Sequence, residues 1–199
     1  MLGEKLLILG GTSFIGRAFC EHVLNRGMFQ LTLFNRGLTN SHLFPEVPRI
    51  ICDRSDRQQC RDLLDGSVWP HIVDFIGFED HQIRNILDHC RCQHYTYISS
   101  SLVDLSYPDD PLFETAKNKL WCENLVKRYN DKCLIARPGF VCGKGDYTNR
   151  FENREGIWFW RNSNHPVQPM IQVEKLVSVL ALLIARNQVG VVRAGYGAT

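Results

Sequence analysis

The sequence predicts an α/β fold: a doubly wound parallel sheet with helices on both faces and right-handed crossovers. Two observations carry this. The apolar run Leu6-Leu7-Ile8-Leu9 passes through the small-residue turn Gly10-Gly11-Thr12-Ser13 straight into an amphipathic stretch from Phe14. That is how a buried parallel strand hands over to a helix. Strand-like and helix-like segments then alternate at short spacing as far as Pro138, with no repeat or linker between them. With 199 residues, 44% hydrophobic and 22% charged, residues 1–199 are read as one ordinary globular domain.

The elements follow in order. In the first helix, about Phe14–Asn25, Ile15, Phe19, His22, Val23 and Arg26 share a face, and Gly27 stops it. Gln30–Phe34 is the second strand, ended by Asn35-Arg36-Gly37, and Leu38–Pro48 is loop. Arg49–Asp53 is the third strand, and Ser55 is read as capping a helix to Leu64, with Asp56 in its first turn. Pro70 opens the fourth strand, His71–Gly77, and a helix through about His89 turns Ile83, Ile86 and Leu87 inward. Tyr95–Ser99 is the fifth strand and runs into Ser99-Ser100-Ser101. The loop 104–111, a helix from about Phe113 to Asn130, and a sixth strand at Lys132–Arg137 come next. Beyond it the pattern loosens into a polar loop (146–151), an aromatic cluster (Ile157–Trp160) and a strand (Val167–Ile171). An apolar helix (Val173–Arg186) and a strand-like piece (Gly190–Ala194) close the pattern.

Composition excludes several classes. A net charge of +2 gives no basic field to draw nucleic acid or an anionic membrane. The run at 6–9 is too short for a secretory signal, and the longest apolar stretch, Leu176–Ala185, is about half of the ~20 residues a membrane span needs. The eight cysteines fall mostly inside strand or helix patterns and read as reduced core residues of a cytoplasmic protein.

In such sheets ligands sit beyond the carboxyl ends of the strands, where strand order reverses. Glycine at 10 and 16 lets backbone approach a pyrophosphate, or helix lie close on strand, and the amides of the first helical turn hold the anion. Gly10, Thr12, Ser13, Phe14, Ile15 and Gly16 are therefore the expected phosphate turn. Arg36, just after the second strand, can accept a ribose 2′-phosphate, and Asn35 in place of an acid removes the repulsion that would exclude it. This favours NADP over NAD; the alternative is a solvent-facing turn arginine. Asp53-Arg54 falls where an adenine edge would lie, with a dipole-stabilising helix charge as the alternative. Gly77 follows the fourth strand. The hydroxyls of Ser100 and Ser101 could orient a substrate carbonyl or merely form a turn. The cluster His89-Cys90-Arg91-Cys92-Gln93-His94 lacks the spacing and second ligand pair of a zinc site, so no metal is expected. Trp158, Phe159 and Trp160, without a basic stripe, read as core or interface before a base-stacking platform.

Several segments in this order carry a resemblance. They are Gly10–Gly16, Phe34–Gly37, Cys52-Asp53-Arg54, Ser99–Ser101, Lys119–Glu123, Arg137–Gly143, and Asp146-Tyr147-Thr148 with Arg150-Phe151. Through them the chain resembles the short-chain dehydrogenase/reductase superfamily, in its atypical extended, NAD-dependent epimerase/dehydratase-like branch. The resemblance implies a Rossmann domain binding NADP and acting on a nucleotide-sugar or similar small substrate. Lys119 would hold the nicotinamide ribose, and Ser100 or Ser101 would orient the substrate. Many relatives dimerise through their fourth and fifth helices, which implies a homodimer. Extended relatives continue into more of a C-terminal substrate lobe, which implies that 140–199 form a small, reduced one.

Two departures stand out. Ser13 occupies the middle glycine of the family's G-x-x-G-x-x-G pattern. The family's catalytic Y-x-x-x-K aligns with Thr115-Ala116-Lys117-Asn118-Lys119, and threonine has no accessible phenolate for general acid/base work. The other register, Phe113 with Lys117, offers no hydroxyl. Asp104 or water would have to move the proton, with Tyr107 the nearest tyrosine. A non-catalytic cofactor sensor or partner subunit is the alternative. Some relatives bind stem-loop RNA in chloroplasts, a role the near-neutral charge argues against.

Overall fold

A computed structural model of the chain describes residues 3–104, 112–155, 157–161 and 170–195. Tyr107 and the rest of 105–111, the start of the strand expected from Val167, and residues 196–199 lie outside the described residues. The elements are β1 (Lys5–Leu9), α1 (Phe14–Asn25), β2 (Gln30–Asn35), β3 (Arg49–Ile51), α2 (Arg57–Leu64) and β4 (Ser67–Asp74). Then come α3 (Asp80–Leu87), β5 (Cys90–Ile98), a 3-10 turn (Ser101–Asp104), α4 (Phe113–Tyr129) and β6 (Cys133–Pro138). The chain continues through β7 (Phe140–Cys142), β8 (Phe151–Arg154), β9 (Ile157–Trp160), β10 (Met170–Gln172), α5 (Val173–Ala185) and β11 (Gly190–Ala194).

Seven strands form one parallel sheet in the order β3-β2-β1-β4-β5-β6-β11. The winding reverses between β1 and β4. Alternation along β1 builds both layers of the core, because successive side chains leave a strand on opposite faces. Leu6 and Ile8 join Phe19 and Val23 of α1 and Leu176 and Leu180 of α5 on one face. Leu7 and Leu9 join Leu64 of α2, Ile83 and Ile86 of α3, and Leu125 and Val126 of α4 on the other. The four apolar side chains of β1, Leu6 to Leu9, are fully buried, each worth about 1.5–3 kcal/mol. The doubly wound sheet is the one expected.

Four local expectations are corrected. β4 and β5 begin earlier than their apolar cores, with Ser67, Val68 and Trp69 paired to Cys90, Arg91 and Cys92 before the register resumes at His71–His94. Pro70, which has no N–H to give the ladder, sits within β4 rather than at its start. The Cys90–His94 cluster is therefore strand, and among the described residues no group of three or more His, Cys, Asp or Glu could hold a metal. Asp56, not Ser55, caps α2, its carboxylate accepting from the Gln59 amide at 3.0 Å. Phe151–Arg154, following the polar loop, pairs antiparallel with the aromatic cluster as a hairpin, β8 with β9, and β7 pairs with β10. No described helix is long and apolar enough to cross a membrane.

Candidate functional site

The site begins where β1 ends. Gly10 turns with φ +87°, and a Cβ on Gly16 would lie 2.1 Å from the Gly10 carbonyl oxygen. The first turn of α1 thus rests on the strand end more closely than any side chain permits. Ser13 caps α1 in extended conformation with its hydroxyl unused, and the first amides of the helix have no acceptor within it. Phe14 takes a strained φ of +30°. The Phe14 and Ile15 side chains pack on the α1–α5 apolar layer, so these two can offer a ligand only backbone.

Beside this turn lies a cavity of about 300 Å³, walled by the segments that follow four neighbouring strands. Of the residues expected from sequence, it brings together Gly10, Thr12, Ser13, Asn35, Arg36, Asp53 and Arg54. Phe14, Ile15, Gly16, Gly77, Ser100, Ser101, Thr115 and Lys119 do not line it; Ile76, Phe78 and Gln82 do. The Asn35 side-chain oxygen accepts from the Gly37 amide at 3.0 Å, while its Nδ2 is buried with no partner among the described residues. Arg36 is exposed and has no hydrogen-bond or ion-pair partner among the described residues. Asn40 donates to the Thr12 carbonyl at 2.9 Å, tying the loop after β2 to the glycine turn.

Arg54 corrects an expectation. Its guanidinium is buried and committed to Asp74, Nη1 to Oδ1 at 2.7 Å and Nη2 to Oδ2 at 2.8 Å, with Nη2 also donating to the Gln82 carbonyl. Asp53, by contrast, is half-buried in the wall of the cavity, its Oδ1 accepting from the Ser55 amide at 3.0 Å. Tyr95 Oη and the Ile76 amide also donate to Asp74. Burial opposes the charge on Asp74, but Arg54 and these donors hold its carboxyl below the usual range, while burial and Asp74 raise the Tyr95 phenol.

Lys119 is buried on α4, its Nζ donating to the carbonyls of Gly77 and Ile98 at 3.0 Å each and lying 4.4 Å from the centre of the Phe78 ring. Burial lowers its pKa to about 8. Gly77 therefore acts on Lys119 rather than on the cavity, and a Cβ there would meet Ile83 at 2.6 Å. Ser99 donates to the buried Glu123 at 2.6 Å, Ser100 Oγ accepts from the Leu102 amide, and Ser101 is buried at the start of the 3-10 turn. Glu123 is clasped by Arg137, which also holds Asp104, and Arg193 binds Asp104 from the other side. Asp104, the substitute acid considered from sequence, is pinned between two guanidiniums. Thr115 stands exposed one helical turn before Lys119.

No family model matches the chain. It is 27% identical over 168 residues to the chloroplast stem-loop binding protein of 41 kDa b of Arabidopsis thaliana, the match covering 72% of this chain and 44% of that one. The chain thus spans less than half the length of that curated relative. Among solved structures it superposes on the Bordetella bronchiseptica enzyme WbmF in complex with NAD+ and UDP (TM-score 0.68, 14% identity, 96% of this chain and 72% of that one). It likewise superposes on Thermus thermophilus UDP-glucose 4-epimerase with NAD (0.67, 14%, 98% and 78%). A wide-type short-chain dehydrogenase/reductase of Veillonella parvula with NADP is a third (0.65, 14%, 91% and 87%). The fold is the Rossmann-type α/β fold of NAD-dependent epimerases and short-chain dehydrogenases/reductases.

Proposed function

We propose that the chain binds a nicotinamide dinucleotide, NADP in preference to NAD, and serves a nucleotide-sugar or similar small carbonyl or hydroxyl compound. One observation carries this reading: Arg36, with no partner among the described residues, and Asn35, in place of an acid, stand on the cavity that the glycine turn opens. A cationic donor there suits a 2′-phosphate, and Asn35 leaves no carboxylate at the position just before it. The amides of α1 and the Ser13 hydroxyl would hold the pyrophosphate, Asp53 the adenine, and Lys119 the nicotinamide ribose. When bound, the dinucleotide supplies hydride exchange; Ser100 or Ser101 would orient the substrate, with 140–199 as a partial substrate lobe. The solved neighbours that hold NAD, NADP or UDP support the choice of ligand class.

Thermal melts with NADP, NADPH, NAD and NADH test it. At a hundredfold excess over Kd, a ligand adds about 2.7 kcal/mol, which for this size is a rise of roughly 5–10 °C. The NADP forms are expected to give it and the NAD forms less; no shift with any of the four ends the proposal.

A second reading, a cofactor-binding module without turnover, draws on Thr115 and on the pairing of Asp104 with Arg137 and Arg193. Neither group is placed to transfer a proton. Thr115→Tyr separates the two readings: turnover that appears in the variant means the site is otherwise built for redox chemistry, and its absence favours the module.

A further inference from the structure

The turn after β3 holds two thiols in contact. Cys52 follows that strand and Cys60 lies on α2, their Sγ atoms 3.7 Å apart and both buried. Both sulfurs point at the carbonyl of Asp53, and Cys60 also at that of Arg54. That backbone, with Cys52 itself, forms one end of the cavity. Among the described residues no other two thiols touch. A disulfide needs about 2.05 Å between sulfurs, so closing the gap asks for side-chain rotation and a small shift of α2 toward the strand end.

We propose that Cys52 and Cys60 form a disulfide when a small hydroperoxide enters through the cavity, and that this bond and the dinucleotide oppose one another. The coupling rests on reading the cavity as the cofactor site. Cys52 is the sulfur that reacts first, as the nucleophile, because it is the member of the pair in the wall. Its thiolate takes the peroxide's terminal oxygen, the O–O bond breaks, and an alcohol (water, from hydrogen peroxide) leaves after taking up a proton. Cys60 sulfur then attacks the Cys52 sulfenic acid; the S–S bond forms, the S–O bond breaks, and water leaves with the Cys60 proton. Two thiols have lost two protons and two electrons to one peroxide. A bound dinucleotide covers Cys52 and so slows the first step. The disulfide in turn moves the Asp53-Arg54 backbone, and by linkage weakens the dinucleotide. Burial pushes the Cys52 thiol up to about 12, so the reaction is slow at neutral pH and gains about tenfold per pH unit as the thiolate fraction grows.

The test exposes the full chain to hydrogen peroxide, blocks residual thiols and maps disulfides by mass spectrometry without reduction. The expected product is a dithiothreitol-reversible Cys52–Cys60 link whose rate rises with pH and falls severalfold under saturating NADP. Cys60→Ser should leave a sulfenic acid on Cys52 that dimedone captures. A different pairing, or over-oxidation of a still-folded chain with no Cys52–Cys60 link, overturns the pair. If NADP raises the melting temperature yet neither slows oxidation nor binds the oxidised chain less tightly, the coupling is overturned. If no dinucleotide shifts the melt, the cofactor reading fails, and the disulfide map still decides the pair.

Discussion

Arg54 and Asp74 meet side-on in the protein interior, two nitrogens to two oxygens at 2.7 and 2.8 Å, and tie the turn after β3 to the end of β4 across β2 and β1. Arg54 is part of the cavity wall, and Asp74 holds it there from behind. Removing one member of such a pair strands a charge away from water and costs roughly 3–5 kcal/mol.

Asp74→Asn is therefore expected to lower the melting temperature at pH 7 by roughly 10 °C, at about 2–4 °C per kcal/mol for a domain of this size. The folded carboxyl lies below its unfolded value, so the pair's contribution is complete above about pH 4 and fades as pH falls through the folded value. The gap between wild type and variant should hold from pH 7 to about 4 and narrow below. Calorimetry across that range checks it. A double variant with apolar residues at both positions should regain much of the loss.

Arg36 bears on the choice of cofactor. Hydrogen bonds to a charged partner contribute about 1.5–3 kcal/mol, so Arg36→Ala should weaken NADP roughly 10–150-fold and leave NAD within about twofold. Isothermal titration gives both constants from one preparation. Equal weakening of the two would place Arg36 elsewhere than at the 2′-phosphate.

Gly16→Ala puts a Cβ against the Gly10 carbonyl at 2.1 Å, a contact that backbone on both sides cannot relieve by a rotamer change. The helix must withdraw from the strand. Overpacking of this kind costs about 1–3 kcal/mol, and the same withdrawal should abolish dinucleotide binding while the circular dichroism spectrum stays that of the folded chain.

Of the fold, the most legible part was β1. Leu6–Leu9 is buried on both faces, so it reads as an unbroken apolar run next to glycines that cannot be replaced. The starts of β4 and β5 were hidden because Ser67–Trp69 and Cys90–Gln93 lie at the sheet's end, where the burial that writes an apolar pattern is lost. The β8–β9 hairpin is short and two-stranded, with no alternating face to betray it. In the site, positions after strands were readable from topology alone, which located Asn35, Arg36 and Asp53 on the cavity. The partners of Arg54, Ser99 and Asp104 were not, since each lies 20 or more residues away and only folding brings it near.

The curated relative's name includes stem-loop binding, and RNA retention is easily measured. With a net charge of +2, the chain is expected to show no salt-dependent retention on stem-loop RNA between 50 and 200 mM salt, a range over which a protein making about 6–10 phosphate contacts loses roughly 10³–10⁵ in affinity. Retention that falls steeply over that range would reopen RNA as a partner.

Lys119 gives the last prediction, and like Asp74 it makes stability rise with pH, here because the fold disfavours the charged form rather than favouring it. Burial holds the ammonium at a pKa of about 8 against an ordinary 10.5, so at neutral pH the fold carries a charge it disfavours. Between those two values the unfolded chain binds the extra proton, and stability rises with pH. Lys119→Met keeps the stem but leaves the Gly77 and Ile98 carbonyls without their donor, so it should be less stable than wild type throughout. Because methionine takes no proton, only wild type gains from pH 8 to 10.5, and the gap in unfolding free energy should widen by about 1.4 kcal/mol per pH unit at most. Urea denaturation at pH 7, 8, 9 and 10 measures it; parallel curves would mean that the lysine titrates as it does in water. The same variant addresses the ribose contact proposed above. If Lys119 holds the nicotinamide ribose, its loss should weaken NADP and NAD alike, whereas loss of Arg36 weakens NADP alone.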